Sequence, residues 1–227
     1  MNKLIVSSKK KLTLKDTDAS LELKTKEFHL DIHGNVNISE ITYHGCKKMN
    51  ITIFPNSSLT FNKFSNDVDV NLDINIKQTD NSKLKLNYSV IADNKATFKI
   101  NSKIEGNNNT SIINIRGVAQ NGDLFIEVIG DVAPNTYGNE TEENIKCLVL
   151  NENECQVTPS MLISSDEVVA SHNVSIGGIP KNNIFYLKGK GLSEEKCVKL
   201  IKDGFILNNL DLTNDEFVSI KEKINWR

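Results

Sequence analysis

Apolar residues spaced two apart recur along most of this chain. "LTLK", "LELK", "FHLDIHGNVNI", "ITIF", "SLTF" and "VDVNLDINIKQ" all show the pattern. In the last of these, Val68, Val70, Leu72, Ile74 and Ile76 share one parity, and Asp69, Asn71, Asp73 and Asn75 the other. Successive side chains of a strand point to opposite faces, so each segment predicts a strand with one apolar face. "KLKLNYSVI", "ATFKINSKI", "SIINIRGVA" and "LFIEVIG" extend the series. Short strands recurring every ten or so residues, separated by Asn, Asp, Gly and Ser, predict an all-β sandwich, barrel or solenoid. No exact motif returns at a fixed period, so a strict repeat array is not supported. A β-helix with irregular coils stays open, because its turns need not share a sequence.

The period changes near residue 192. In "LSEEKCVKLIKDGF", Leu192, Cys197, Leu200, Ile201 and Phe205 fall near helical spacing. Ser193 suits an N-cap, and Glu194 and Glu195 suit a first turn, where the helix dipole favours acids. In "LTNDEFVSIKEKINW", Thr213 and Glu216 have the spacing of a capping box. Phe217, Ile220 and Ile224 follow at helical intervals. The predicted organisation is a β core over residues 1–190 and a two-helix segment over 191–227, not an alternating βαβ protein.

Composition narrows the class without identifying it. The 227 residues are 38% hydrophobic and 25% charged, too apolar for disorder. The formal net charge of −2 sets up no strong field for nucleic acid or an anionic membrane. No apolar run approaches the ~18 residues that span a bilayer. The N-terminal apolar run is only Leu4, Ile5 and Val6, short of the about 7–15 residues of a secretory signal. The expected location is therefore the cytoplasm, with Cys46, Cys147, Cys155 and Cys197 as thiols.

Candidate chemistry is sparse. "HLDIH" puts His29, Asp31 and His33 on one strand face. At ~3.3 Å per residue the two histidines lie ~13 Å apart, too far for one metal to take all three. A solvated polar face is the simpler expectation. "YHGC" offers the single pair His44 and Cys46. There is no Cys-x-x-Cys, so a structural zinc site is unexpected. Cys147 and Cys197 fit core positions, and Cys155, in the polar turn "NENECQ", is the best candidate for an accessible thiol. No P-loop is present and "KGKG" at 188–191 does not supply one, so the chain itself is expected to bind no nucleotide. No G-x-S-x-G or supported Ser-His-Asp order favours a hydrolase. "VVASHNVSIGGI" leaves a question: why does a small-residue strand carry His172?

The order of "VVASHNVSIG", "IFYLKGKGLSEE" and "LIKDGF", after "NNTSIINIRGVAQNGDLFIEVIGDVAPNT" and "TPSMLISSDE", resembles the SufB/SufD family of iron–sulfur cluster assembly scaffolds over residues 110–207. That resemblance implies a right-handed parallel β-helix followed by C-terminal α-helices, and a non-enzymatic scaffold role. It implies pairing of β-helices with a second SufB/SufD-type subunit, as homodimer or heterodimer. It also implies docking of a SufC-type ABC ATPase on the C-terminal helices. A strand-first start resembles a short, core-only form without the N-terminal helical region common in the family.

The resemblance makes His172 a candidate iron or cluster ligand, with Cys155 a weaker candidate. It places Ala170, Ser171, His172 and Ser175 at a dimer interface and Lys199, Lys202, Asp203 and Phe205 at the ATPase. The implied cargo is iron or a transient iron–sulfur cluster. The flanks Ser171 and Asn173, and Thr158-Pro159-Ser160-Met161 upstream, resemble the SufD branch rather than the SufB branch, which has glutamates beside the His and an upstream cysteine. The alternative function is a β-solenoid or β-sandwich carbohydrate-binding or carbohydrate-active protein, for which 6% aromatic content and the single Trp226 offer few stacking platforms.

Overall fold

The computed structural model describes residues 2–7, 11–41, 45–66, 69–224 and 226. His44 and Val68 lie outside them. The strands are β1 (Asn2–Val6), β2 (Lys11–Leu23), β3 (Glu27–Glu40), β4 (Lys48–Ile53), β5 (Ser58–Ser65), β6 (Val70–Gln78) and β7 (Lys83–Ala92). They continue as β8 (Ala96–Ile104), β9 (Thr110–Ala119), β10 (Leu124–Val132), β11 (Tyr137–Val149), β12 (Cys155–Ile163) and β13 (Glu167–Gly177). Three helices follow: α1 (Lys181–Lys188), α2 (Glu194–Leu207) and α3 (Asn214–Lys223).

Every strand pairs in parallel, in the order β12-β10-β8-β6-β4-β3-β5-β7-β9-β11-β13. Ahead of that path β1 pairs with β2 and β2 with β3; from β4 onward even strands stack on one wall and odd strands on the other, with β2 and β3 long enough to serve both. The result is a β-solenoid of about five turns. Its coils widen along the chain. Lys11 pairs with His29, 18 positions on; Lys48 with Asp73, 25 on; Leu124 with Cys155, 31 on. A growing turn has no fixed period, which is why no repeat is visible in the sequence.

The alternation in β6 is realised as expected: Val70, Leu72, Ile74 and Ile76 are buried while Asn71, Asp73 and Lys77 face solvent. Such apolar columns, one residue per coil, make the interior. Each fully buried Ile, Leu or Phe contributes roughly 1.5–3 kcal/mol.

The corners explain the asparagines. Asn56, Asn81, Asn108 and Gly138 all have positive φ and stand at equivalent places, two residues ahead of an odd-strand pairing segment, and Gly34, also at positive φ, stands one residue ahead of its own. Every other positive-φ residue that is not glycine is also Asn or Asp among the described residues. These residues tolerate the left-handed conformation that the corner needs. At Gly138 a Cβ would also stand 2.4 Å from Asn108 Oδ1, so glycine is required there twice over.

Two asparagine ladders run up the outer faces. On the odd wall the Asn87 side chain donates to Asn62, Asn114 to Asn87, Asn144 to Asn114 and Asn173 to Asn144, at 2.9–3.2 Å. On the even wall Asn75 donates to Asn50 and Asn101 to Asn75.

The helices strap the flank of the solenoid. Ile206, Leu207, Leu210 and Ile220 pack on Phe64, Ile91, Val118 and Leu148, which line the ends of successive odd strands. Ser193 caps α2, and Thr213 and Glu216 form the expected capping box of α3. Three helices replace the two expected. The β region ends at Gly177, and α1 occupies part of the stretch assigned to the β core. α1 was not foreseen because it buries no residue and its N-cap is Pro180, which makes no side-chain cap.

Candidate functional site

The last coil, β12 and β13, continues the register of the core but is not covered. In β11, Thr141, Glu143, Ile145 and Cys147 point inward and are buried. Ala170, His172, Val174 and Ile176 stand directly over them. Residues paired in a parallel register point to the same side, so His172 belongs to the inward row. Yet Val174 is 41% exposed, Ile176 44%, and His172 itself is exposed. On β12 the matching row is Cys155, Val157, Pro159, Met161 and Ile163, all at least partly exposed. The C-terminal helices do not cap this end: they lie along the flank. The answer to the histidine question is positional. His172 occupies a core column at the open end of the solenoid.

Beneath His172 lies a residue that the sequence reading missed. Glu143 is fully buried, and neither carboxylate oxygen has a hydrogen-bond partner of normal geometry. Its Oε1 lies over Gly130 of β10, 3.0 Å from where a Cβ there would stand. Burial pushes the Glu143 carboxyl up to about 7, with Gly130 N–H pulling weakly the other way. The available signal was parity: in "TEENIKC", Glu143 shares the parity of Thr141, Ile145 and Cys147. An unpaired buried carboxylate is costly unless a cation or proton answers it.

Cys155 is not brought to His172. It opens β12 and sits against Cys147, with which it shares a hydrogen bond. Cys147 lies under Ile176, four residues along β13 from His172, so roughly 13 Å separates the two levels. No three His, Cys, Asp or Glu side chains cluster tightly enough to hold a metal ion among the described residues. The "HLDIH" face is the solvated face expected. Asp31 pairs with Lys11, His29 contacts Asn50, and His33 stacks on Phe54. Among the expected interface residues, Ala170, Ser171 and Ser175 are exposed on β13, and a Cβ on Gly177 would meet nothing within 4 Å. Asn173 forms the outermost rung of the odd-wall ladder.

Of the residues expected to face an ATPase, Lys199 is exposed and Asp203 partly so. Lys202 is a correction. It is buried, with Nζ 3.3 Å from Gln120 Oε1 and 4.2 Å from the Trp226 ring centre. Its long stem lets the helix cover apolar surface while the ammonium reaches a polar turn. Asp203 accepts from Trp226 Nε1 at 2.5 Å, and Phe205 packs into the flank under Arg116. Leu200, one of the apolar residues at helical spacing in α2, is 52% exposed. The open apolar surface of the helical segment is instead Phe185, 82% exposed, with Tyr186 on α1 and Leu200 on α2. No helix among the described residues is long and apolar enough to cross a membrane.

Comparison with known proteins agrees with this picture. The family model described as SUF system FeS cluster assembly, SufBD core domain, matches residues 42–205. The match thus begins well before residue 110, the start of the resemblance noted above. An iron–sulfur cluster assembly SufBD family protein of Pyrococcus horikoshii is 35% identical over 88 residues, 37% of this chain and 20% of that protein. The iron–sulfur cluster assembly protein SufD of Bacillus subtilis is 27% identical over 101 residues, 42% of this chain and 23% of its own length. A SufBD family protein of Staphylococcus aureus is 28% identical over 102 residues, 44% of this chain and 22% of its length. The chain thus spans about a fifth to a quarter of the length of the curated relatives it matches.

Proposed function

The chain belongs to the SufBD core family of the SUF system of FeS cluster assembly, and from that premise we propose that it is a scaffold subunit rather than an enzyme. The observation that carries this reading is the open last coil. It repeats the core register and leaves an apolar row, with His172 in it, unburied. Solenoid ends need covering, and an exposed apolar row of this kind suits a protein partner. A second SufB/SufD-type subunit, identical or not, is the proposed cover. The small residues Ala170, Ser171 and Ser175 would let its backbone come close.

In this reading iron or a nascent cluster is the cargo. His172 offers an imidazole nitrogen to it, and the Glu143 side chain lies one coil below. A SufC-type ABC ATPase would dock on the helical segment. The supporting surface is Phe185, Tyr186, Lys199 and Leu200, in place of the buried Lys202 and the packed Phe205. Nucleotide would then be bound by that ATPase and not by this chain, and the complex would work in the cytoplasm. The alternative carbohydrate reading has no observation in its favour beside the family match.

The test is anaerobic reconstitution of the chain with its co-purifying partners, using iron and sulfide and read by visible absorbance. His172→Ala is expected to fold, to retain the ATPase and to lose most cluster absorbance. Unchanged cluster yield in the variant would remove His172 from the site.

A further inference from the structure

Cys147 and Cys155 form a chemical unit that the scaffold reading does not use. Cys147 points inward from β11 and is 3% exposed. A Cβ at Gly117 would stand 3.3 Å from Cys147 Sγ and 2.3 Å from Leu124 Cδ2, so thiol and leucine share the space over that glycine. Cys155 stands one coil above Leu124, in register with it, and is only partly buried. The two thiols meet there and are hydrogen-bonded to one another. The intervening turn is short and firmly tied: the Asn153 side chain donates to Leu150 O and Gln120 O. The other two cysteines are different. Cys46 and Cys197 are fully buried and directed at backbone carbonyls, Lys48 O and Leu192 O respectively.

The pair is also chemically unequal. The Cys147 thiol donates to Cys155, and that bond together with burial pushes the Cys147 proton affinity well up. The same hydrogen bond lowers the affinity of Cys155. Cys155 is thus the sulfur that solvent and a small disulfide can reach, and Cys147 the one held in the core behind it.

We propose that Cys147 and Cys155 are a redox-active dithiol, in which Cys155 is the attacking thiol and Cys147 resolves it to an intrachain disulfide. The oxidant is a low-molecular-weight disulfide such as oxidised glutathione. Cys155 Sγ bonds to one sulfur of that disulfide, the S–S bond breaks, and the first small thiolate leaves with the Cys155 proton. Cys147 Sγ then bonds to Cys155 Sγ, and the second small thiolate leaves with the Cys147 proton. Two protein thiols are oxidised by two electrons, and one small disulfide becomes two small thiols. The bond would pin the turn between β11 and β12 beside Ile176, and so stiffen the open end. The inference rests on the thiol geometry alone and does not depend on the cluster reading.

The experiment exposes the full-length chain, natively folded, to oxidised glutathione and follows it by intact mass and peptide mapping. Wild type is expected to lose the mass of two hydrogens, with a Cys147–Cys155 cross-link and no retained glutathione. Cys147→Ser is expected to hold one glutathione on Cys155, because nothing resolves it. Cys155→Ser is expected to react at least about tenfold more slowly. Cys147→Ala, an apolar replacement for the core position, repeats the trapping test should the serine variant fail to fold. Retained glutathione on wild-type Cys155, a cross-link involving Cys46 or Cys197, or an undiminished rate in Cys155→Ser would overturn the proposal.

Discussion

The β9 level of the odd wall and the last one are written in the same pattern and meet different fates. Ile115 on β9, Ile145 on β11 and Val174 on β13 occupy one column in direct register. Ile115 and Ile145 are fully buried, whereas Val174 is 41% exposed. Alternation of apolar and polar residues therefore specifies which way a side chain points. Whether that side is dry depends on what stands on the next level. In a solenoid each coil is covered only by its neighbours, so the terminal coil carries a core face without a lid.

The sharpest way to break the comparison is to truncate the same column at both levels. Ile115→Ala is expected to cost 2–5 kcal/mol in chemical denaturation, about the usual toll of a cavity in a closed core. Val174→Ala is expected to cost less than about 1 kcal/mol in the isolated chain, since little buried surface is lost. Equal losses at the two positions would show that the last coil is covered in solution.

Much of this architecture was legible and some was not. The inward parity of Val70 to Ile76 and the capping box of Thr213 and Glu216 are local, and local patterns carry such signals. The αL corners were legible only as an abundance of Asn. Their stacking depends on coil length, which grows from 18 to 31 positions and hides the repeat. Helix α1 escaped because "NNIFYLK" buries nothing and so has no apolar stripe to show. Lys202 escaped for a different reason. Its ammonium reaches Gln120 and Trp226, partners far from it in sequence, and no helical period announces them. At the candidate site, His172 was found through the family resemblance, while Glu143 beneath it needed the strand register to be seen at all.

Glu143 gives a second contrast between the closed and open levels, because its charge is penalised only in the folded state. Burial holds its carboxyl up at about 7 in the fold, against an ordinary 4.5. Between those values the folded state binds more protons than the unfolded one, so stability falls as pH rises from about 4.5 to about 7. The full loss, above that window, is about 3 kcal/mol at 1.36 kcal/mol per unit. Glu143→Gln keeps the shape without the charge. It is expected to flatten this pH dependence and to be the more stable protein at pH 8 by up to that amount, in urea unfolding measured across the window. A variant with the same slope as wild type would mean that a cation already answers the carboxylate.

The smallest effect sharpens the comparison most finely, because it uses one residue type on one ladder. The Asn114 side chain donates to Asn87 below and accepts from Asn144 above. Asn173 donates to Asn144, and its β13 strand is the last of the odd wall. Asn114→Ala removes two hydrogen bonds and strands the buried Asn87 and the half-buried Asn144, so it is expected to cost about 1–2 kcal/mol. Asn173→Ala removes one exposed bond, which water replaces, and is expected to cost under about 0.5 kcal/mol in the chain alone. A second subunit that continues the wall would turn Asn173 from a terminal rung into an internal one. Its substitution would then weaken the assembly by about 1 kcal/mol, roughly a fivefold change in dissociation constant, while leaving monomer unfolding unmoved. Measuring both variants by unfolding and by sedimentation would therefore read the same ladder as a stabiliser of the fold at one level and of the interface at the other.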